Sequence, residues 1–287
     1  MGRLATILAV LAGDVAVPSA LGGGVAGGQS PDEKMCQRKF DQARKEALRD
    51  RPIGEVMVAV GVSFIGTPYT AHTLEQPGEE HLVVNLRALD CVTFVESTLA
   101  ISRCIKRGKR SFGEYEKELQ FIRYRGGVID GYPSRLHYFS DWIDDNGKKK
   151  VVRDISRETG GVPFEKKLFF MSTHPSSYRQ LSNPLSLERV KATEAAINAR
   201  QHFFLRKQEL ADTARGIEAG DIIGITTSVE GLDIAHTGIA IRTNGLLRYL
   251  HAPLSKGTVQ ITEQSLVDYL SIHAKQTGVM VAHPLEP

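Results

Sequence analysis

An α+β fold is predicted for this 287-residue chain, with helices packed on a small antiparallel sheet. Two observations predict it. In the first two thirds, apolar residues recur at helical spacing, as in Val56, Val60 and Phe64, four apart. After Gly220 the pattern shortens to strand-like runs joined at Thr243-Asn244-Gly245, a turn signal because Asn-Gly tolerates positive φ. Helices first and strands last is an α+β order.

In chain order, Asp32 can cap a helix reaching about Arg49, with Met35, Phe40, Ala43, Ala47 and Leu48 as its uneven apolar stripe. A second helix runs from Ile53 or Gly54 to Phe64, and Gly66-Thr67-Pro68-Tyr69 breaks it. Residues 71–87 have little period and read as a long loop, or a short strand at Leu82–Leu86. The helix that follows carries Phe94, Val95, Thr98, Leu99 and Ile101 toward Cys104. A basic turn, KRGKR, most simply a solvated face, leads to a helix at Glu114–Arg125. Val151 and Val152 open a strand, Lys167–Met171 offers another, and 187–206 reads as an amphipathic helix. Strands then begin near Gly220 and are expected at His236–Ile241, Leu246–His251 and Thr258–Ile261, before a short helix at Glu263–Ile272.

Composition narrows the function. Apolar content of 41% and charged content of 24% fit a globular protein. A net charge of +3, from 36 basic and 33 acidic residues, gives no reason to expect a nucleic-acid partner. The cysteines Cys36, Cys91 and Cys104 are too few for a disulfide framework and carry no zinc spacing. His72, His81 and His174 show no HExxH-type spacing, so no metal and no cofactor is expected. Arg3, the apolar run Leu4–Ala12 and the small residues after it resemble a signal peptide cut near Ala20. Export is therefore expected, with 1–30 as leader and linker and 31–287 as one domain. The apolar run is too short for a stable membrane span.

The chemistry centres on Asp90-Cys91. Asp90 can cap the helix that Cys91 opens, and the free N–H groups and dipole there would favour a thiolate. The plainer alternative is a small buried core cysteine. A cysteine nucleophile also needs an imidazole and a third group to orient it. His236 and His251 lie on facing strand candidates and come within reach if the register allows, although both could be ordinary half-buried histidines. Arg135, His137, Tyr138, Phe139, Asp141 and Trp142 mix aromatics and charge, which suits sugar or peptide recognition and suits a buried structural corner almost as well.

Five pieces occur in a familiar order: GTPY at 66–69, Asp90-Cys91, GDII at 220–223, HTGIAI at 236–241 and LHA at 250–252. Together they resemble the NlpC/P60 cysteine peptidases, papain-like cell-wall hydrolases. The resemblance covers roughly 54–105 and 218–275 and implies Cys91 as nucleophile, His236 as general base and His251 as the third polar residue. The chain departs from the usual pattern in following Cys91 with Val92, Thr93 and Phe94, and in a large insertion at about 108–215. With SRLHYFSDWI at 134–143, it looks like the DUF1460 branch. That resemblance implies cleavage of the amide bond between N-acetylmuramic acid, in its ordinary or 1,6-anhydro form, and L-alanine of muropeptides. It also implies a cleft lined by Tyr69, Arg135, His137, Tyr138 and Trp142. A monomer in the periplasm or at the outer membrane, without stable membrane insertion, is expected. A stem-peptide endopeptidase and a non-catalytic wall-binding module are the alternatives.

Overall fold

The structure is a computed structural model and describes residues 28–287. The expected signal peptide lies outside the described residues. The first helix, α1 (Pro31–Lys45), is capped by Ser30, whose Oγ accepts from the Glu33 N–H at 3.1 Å. Asp32 is therefore not the cap. Its carboxylate instead accepts from the Leu86 N–H at 2.8 Å and from Arg87 at 3.2 Å, pinning the loop that leads to Cys91. The helix stops at Lys45, short of Arg49, and Ala47 turns the chain with a φ of 50°. Next come α2 (Ile53–Val62), α3 (Cys91–Lys106) and α4 (Phe112–Arg123). They are followed by α5 (Phe139–Lys148), α6 (Phe170–Thr173), α7 (Pro184–Asn198), α8 (Leu210–Thr213) and α9 (Leu266–Ser271).

The sheet has eight strands: β1 (Val152–Asp154), β2 (Val162–Pro163), β3 (Phe203–Arg206), β4 (Ile222–Thr227), β5 (Ile234–Thr243), β6 (Leu246–His251), β7 (Gln260–Ile261) and β8 (Gln276–Pro284). Their order is β2-β3-β8-β4-β5-β6-β7, every pair is antiparallel, and β1 joins β8 beside β3. The sheet is thus larger than expected, and its central strand, β8, lies in a stretch to which the sequence assigned nothing. Of the two readings of 71–87, the loop holds: no strand forms at Leu82–Leu86, and Tyr69 and Leu89 at the ends of the loop share a single bridge. Two other expectations fail, at Lys167–Met171 and at 187–206. Lys167–Met171 keeps one bridge, Leu168 to Gly231, and then turns into α6. The stretch expected as one helix at 187–206 divides into α7 and β3.

Strand alternation gives the sheet two apolar faces. Ile222, Ile239, Leu250 and Met280 pack with Val56 and Val60 of α2 and Val95 and Leu99 of α3. Ile223, Tyr249, Val279 and Val281 pack with Leu266 and Leu270 of α9. Each fully buried aliphatic chain contributes about 1.5–3 kcal/mol. A third cluster, including Tyr132, Tyr138, Met171, Val190 and Ile197, joins α6 and α7 to the segment before α5. Among the described residues no helix is long and apolar enough to cross a membrane.

Candidate active site

Asp90 and Thr93 make the helix start that presents Cys91. The Asp90 carboxylate accepts from the Thr93 N–H at 2.8 Å, and the Thr93 hydroxyl accepts from the Asp90 N–H at 2.9 Å. This reciprocal cap satisfies two orphan donors and fixes the direction in which α3 begins. Cys91 is partly exposed, whereas Cys36 and Cys104 are buried. Beside Cys91 is a cavity of about 160 Å³, walled by Val92, Val95, Leu136, Phe139, Trp142 and Ile234. His137, Asp233 and His236 are among its polar residues.

The β5–β6 hairpin places the two histidines. Ile239 pairs with Leu250, so Gly238 falls opposite His251 and His236 is the diagonal neighbour on the same face. A Cβ at Gly238 would lie 2.9 Å from the His251 Cβ and 2.6 Å from the Leu250 carbonyl oxygen. Glycine leaves room there for the His251 ring to lean toward His236. The hydrogen bond between His236 Nε2 and His251 Nδ1 is 2.7 Å. Behind it, the Tyr249 and Tyr269 rings lie 4.8 Å and 5.5 Å from His251, and the Tyr249 hydroxyl donates to the Ile223 carbonyl.

Burial dominates the electrostatics. It pushes the Cys91 thiol up to about 12, with help from the Asp90 carboxylate and against the backbone N–H groups of Thr237, Cys91 and Val92. It lowers His236 to about 4, and the charge of His273 acts in the same direction. Both shifts favour a neutral thiol and a neutral imidazole. The direction is opposite to the thiolate expected from the helix start alone. A helix terminus contributes only about 0.3–1 kcal/mol, less than the desolvation of a thiolate in this setting.

The other expected residues divide into two groups. His137 and Trp142 line the cavity. His137 donates Nε2–H to the Tyr132 carbonyl at 3.0 Å, and burial holds it neutral, lowered to about 3. Trp142 is stacked on Phe139 at 5.5 Å, so it offers no open ring face for a sugar. Tyr69 is half-buried near Cys91 but outside the lining of this cavity, and burial and then the Cys91 and Asp90 charges raise its phenol. Arg135 and Tyr138 do not line the cavity. The Arg135 guanidinium is buried against Glu75 at 2.6 Å, donates to the Leu74 carbonyl at 2.8 Å and covers the Tyr132 ring. The Tyr138 hydroxyl donates to Glu194 at 2.7 Å and accepts from the Met171 N–H at 3.0 Å. Both are internal struts and, contrary to expectation, stand outside the cavity lining.

Further residues complete the site, and of these Gly224 and Glu96 escaped sequence reasoning. Asp233 is buried and accepts from the Ser140 N–H at 2.8 Å and the Ser140 hydroxyl at 2.9 Å, tying the start of α5 to β5. Phe139 forms a wall of the cavity because Gly224 has no side chain: a Cβ there would sit 2.3 Å from its ring. A glycine inside the apolar strand at 222–227 was the available signal. Glu96 reaches the cavity wall while paired with Arg123 at 2.7 Å.

Comparison with known proteins agrees with the fold. The family described as AmiA-like, N-acetylmuramoyl-L-alanine amidase-like, matches residues 59–279. A crystal structure of an N-acetylmuramoyl-L-alanine amidase from Bacteroides uniformis is 36% identical, covers 81% of this chain and 99% of its own, and superposes with a TM-score of 0.78. A Bacteroides fragilis protein described as a candidate xylanase is 38% identical over 78% of this chain and 99% of its own, with a TM-score of 0.74. A Legionella pneumophila DUF1460 protein, 20% identical, shares the fold over 88% of this chain and 94% of its own, with a TM-score of 0.65. No curated protein matches the chain.

Proposed function

Because the chain belongs to the AmiA-like, N-acetylmuramoyl-L-alanine amidase-like family, we propose that it is a cysteine-dependent cell-wall amidase. In this reading it releases L-alanyl peptides from N-acetylmuramic acid, in its ordinary or 1,6-anhydro form. The observation that carries it is the placement of Cys91 at a capped helix start, in one cavity with His236, whose Nε2 is held by His251. That bond leaves His236 Nδ1 for the thiol.

The neutral pair sets the order of events. Nδ1 takes the thiol proton as Sγ attacks the lactyl carbonyl, so no free thiolate accumulates. The carbonyl becomes an oxyanion, for which the Cys91 backbone N–H is the first donor. Imidazolium then gives its proton to the alanine nitrogen as the C–N bond breaks. Water, deprotonated by His236, cleaves the thioester and restores the thiol. The layout of α3 against the β5–β6 hairpin supports a papain-like NlpC/P60 core, with the segment at about 108–215 as an insertion that brings Phe139 and Trp142 to the cleft. We place the enzyme outside the cytoplasm, in the periplasm or at the outer membrane, as a monomer acting on muropeptides.

The xylanase description of the Bacteroides fragilis relative finds less support here. Glycoside hydrolysis uses two free carboxyl groups. The cavity's Asp233 and Glu96 are committed to Ser140 and Arg123. The test is product analysis with N-acetylmuramoyl-L-alanyl-D-glutamyl peptides and with the same peptides lacking the sugar. Free N-acetylmuramic acid and an intact peptide are expected from the first, and no cleavage of the second. N-acetylmuramoyl-L-alanyl-D-glutamate as product would assign the endopeptidase activity instead, and no product from either would leave a binding module.

A further inference from the structure

Trp142, in α5, is the only tryptophan of the chain and is 3% exposed. It lines the cavity beside Cys91. Its ring is fixed by a near-parallel stack on Phe139, at 5.5 Å and 6°, and Phe139 is fixed in turn against Gly224. The indole Nε1–H is buried and meets no acceptor among the described residues. Buried indole donors normally have partners, so an unpaired one on a residue that lines a cavity needs a reason. The other walls, Val92, Val95, Leu136 and Ile234, are apolar.

We propose that Trp142 Nε1–H binds an acceptor oxygen of the substrate close to the scissile carbonyl, while the apolar walls take the methyl group beside that oxygen. The proposal rests on the amidase reading and names the groups that this cavity recognises. Both sides of the scissile bond carry the required chemistry. The lactyl carbon bears a methyl and an ether oxygen, and the alanine α-carbon bears a methyl and a carbonyl. Trp142 is then a specificity residue that takes no part in proton transfer.

A single tryptophan makes the test direct, because the folded protein has one indole N–H resonance. The protein with [¹⁵N]tryptophan and Cys91→Ala is titrated with N-acetylmuramoyl-L-alanyl-D-glutamate, with N-acetylmuramic acid and with L-alanyl-D-glutamate, and binding is followed in parallel by calorimetry. A downfield shift of the indole proton with the intact ligand, reproduced by one half alone, is expected, and the active half identifies which oxygen is held. In the otherwise wild-type enzyme, Trp142→Phe keeps the stack and removes the donor. It should lower kcat/KM about tenfold, chiefly through KM, the loss of roughly one hydrogen bond. If calorimetry shows saturation and the wild type cleaves the ligand, yet the indole signal stays fixed, the proposal is overturned and the amidase reading stands. If the wild type neither binds nor cleaves the ligand, both are overturned.

Discussion

Gly238→Ala tests whether the hairpin geometry, and through it the histidine pair, controls turnover. The added Cβ would lie 2.6 Å from the Leu250 carbonyl oxygen, about 0.8 Å inside ordinary contact, and 2.9 Å from both the His251 Cβ and the Tyr249 ring. None of these can swing away: one is backbone, one is a Cβ, and the Tyr249 ring is fully buried and tethered to Ile223. The hairpin must open instead. Opening by that amount takes the 2.7 Å His236–His251 bond to about 3.5 Å, where a hydrogen bond fails. Overpacking of this kind costs about 1–3 kcal/mol, a fall in Tm of roughly 2–10 °C. Misplacing a catalytic group by about 1 Å costs on the order of 100-fold in rate. The assay is kcat/KM on a muramyl peptide beside a thermal melt, both at a temperature where the variant remains folded. A variant that loses stability as calculated but keeps wild-type kcat/KM would refute the link from hairpin spacing to catalysis.

Other perturbations follow from the same structure. Iodoacetamide should label Cys91 well before Cys36 and Cys104, because all three thiols are pushed up to about 12 and Cys91 alone is partly exposed; equal labelling of the folded protein, read by peptide mass, would count against this. Turnover should rise with pH through about 4 as His236 loses its proton, and stay level across neutrality; an acid limb near 6.5 would mean that His236 is not held neutral by burial. For stability the sign is that of a lowered base: His236 at about 4 and His137 at about 3 disfavour folding once the unfolded chain takes up protons below about 6.5, so Tm should fall from there toward about 3, and less steeply in His137→Gln. Arg123→Met should cost about 3–5 kcal/mol in urea melts, because it leaves Glu96 buried without its cation, and adding Glu96→Gln should recover much of the loss.

What could be read from the sequence was local. Asp90 as the cap of the Cys91 helix and Asn244-Gly245 as a hairpin turn need only neighbours along the chain, and both appear where those signals stand. The central strand β8 was not legible, because Val279-Met280-Val281-Ala282 is a short apolar run whose strand character comes from partners on β1, β3 and β4. Lys167–Met171 had a strand's composition but only one bridge to pair with. Cys91, His236 and His251 were found through the order of five motifs, but the partners of single side chains far apart in sequence were not. Arg135 was expected to line the cleft, but Glu75, sixty residues earlier in the chain, pairs with it in space. The thiolate expected at Cys91 follows from the helix start alone, and burial, which the sequence does not display, reverses it.

The central claim is that Cys91 becomes acylated by the muramyl group. It is tested by acid-quenching the enzyme during turnover of an N-acetylmuramoyl-L-alanyl peptide, weighing the intact protein and mapping the adduct. The account predicts an increment equal to N-acetylmuramic acid less one water, on the peptide containing Cys91, and none in Cys91→Ala. An increment that also contains alanine and glutamate, an adduct elsewhere, or undiminished turnover by Cys91→Ala would contradict it.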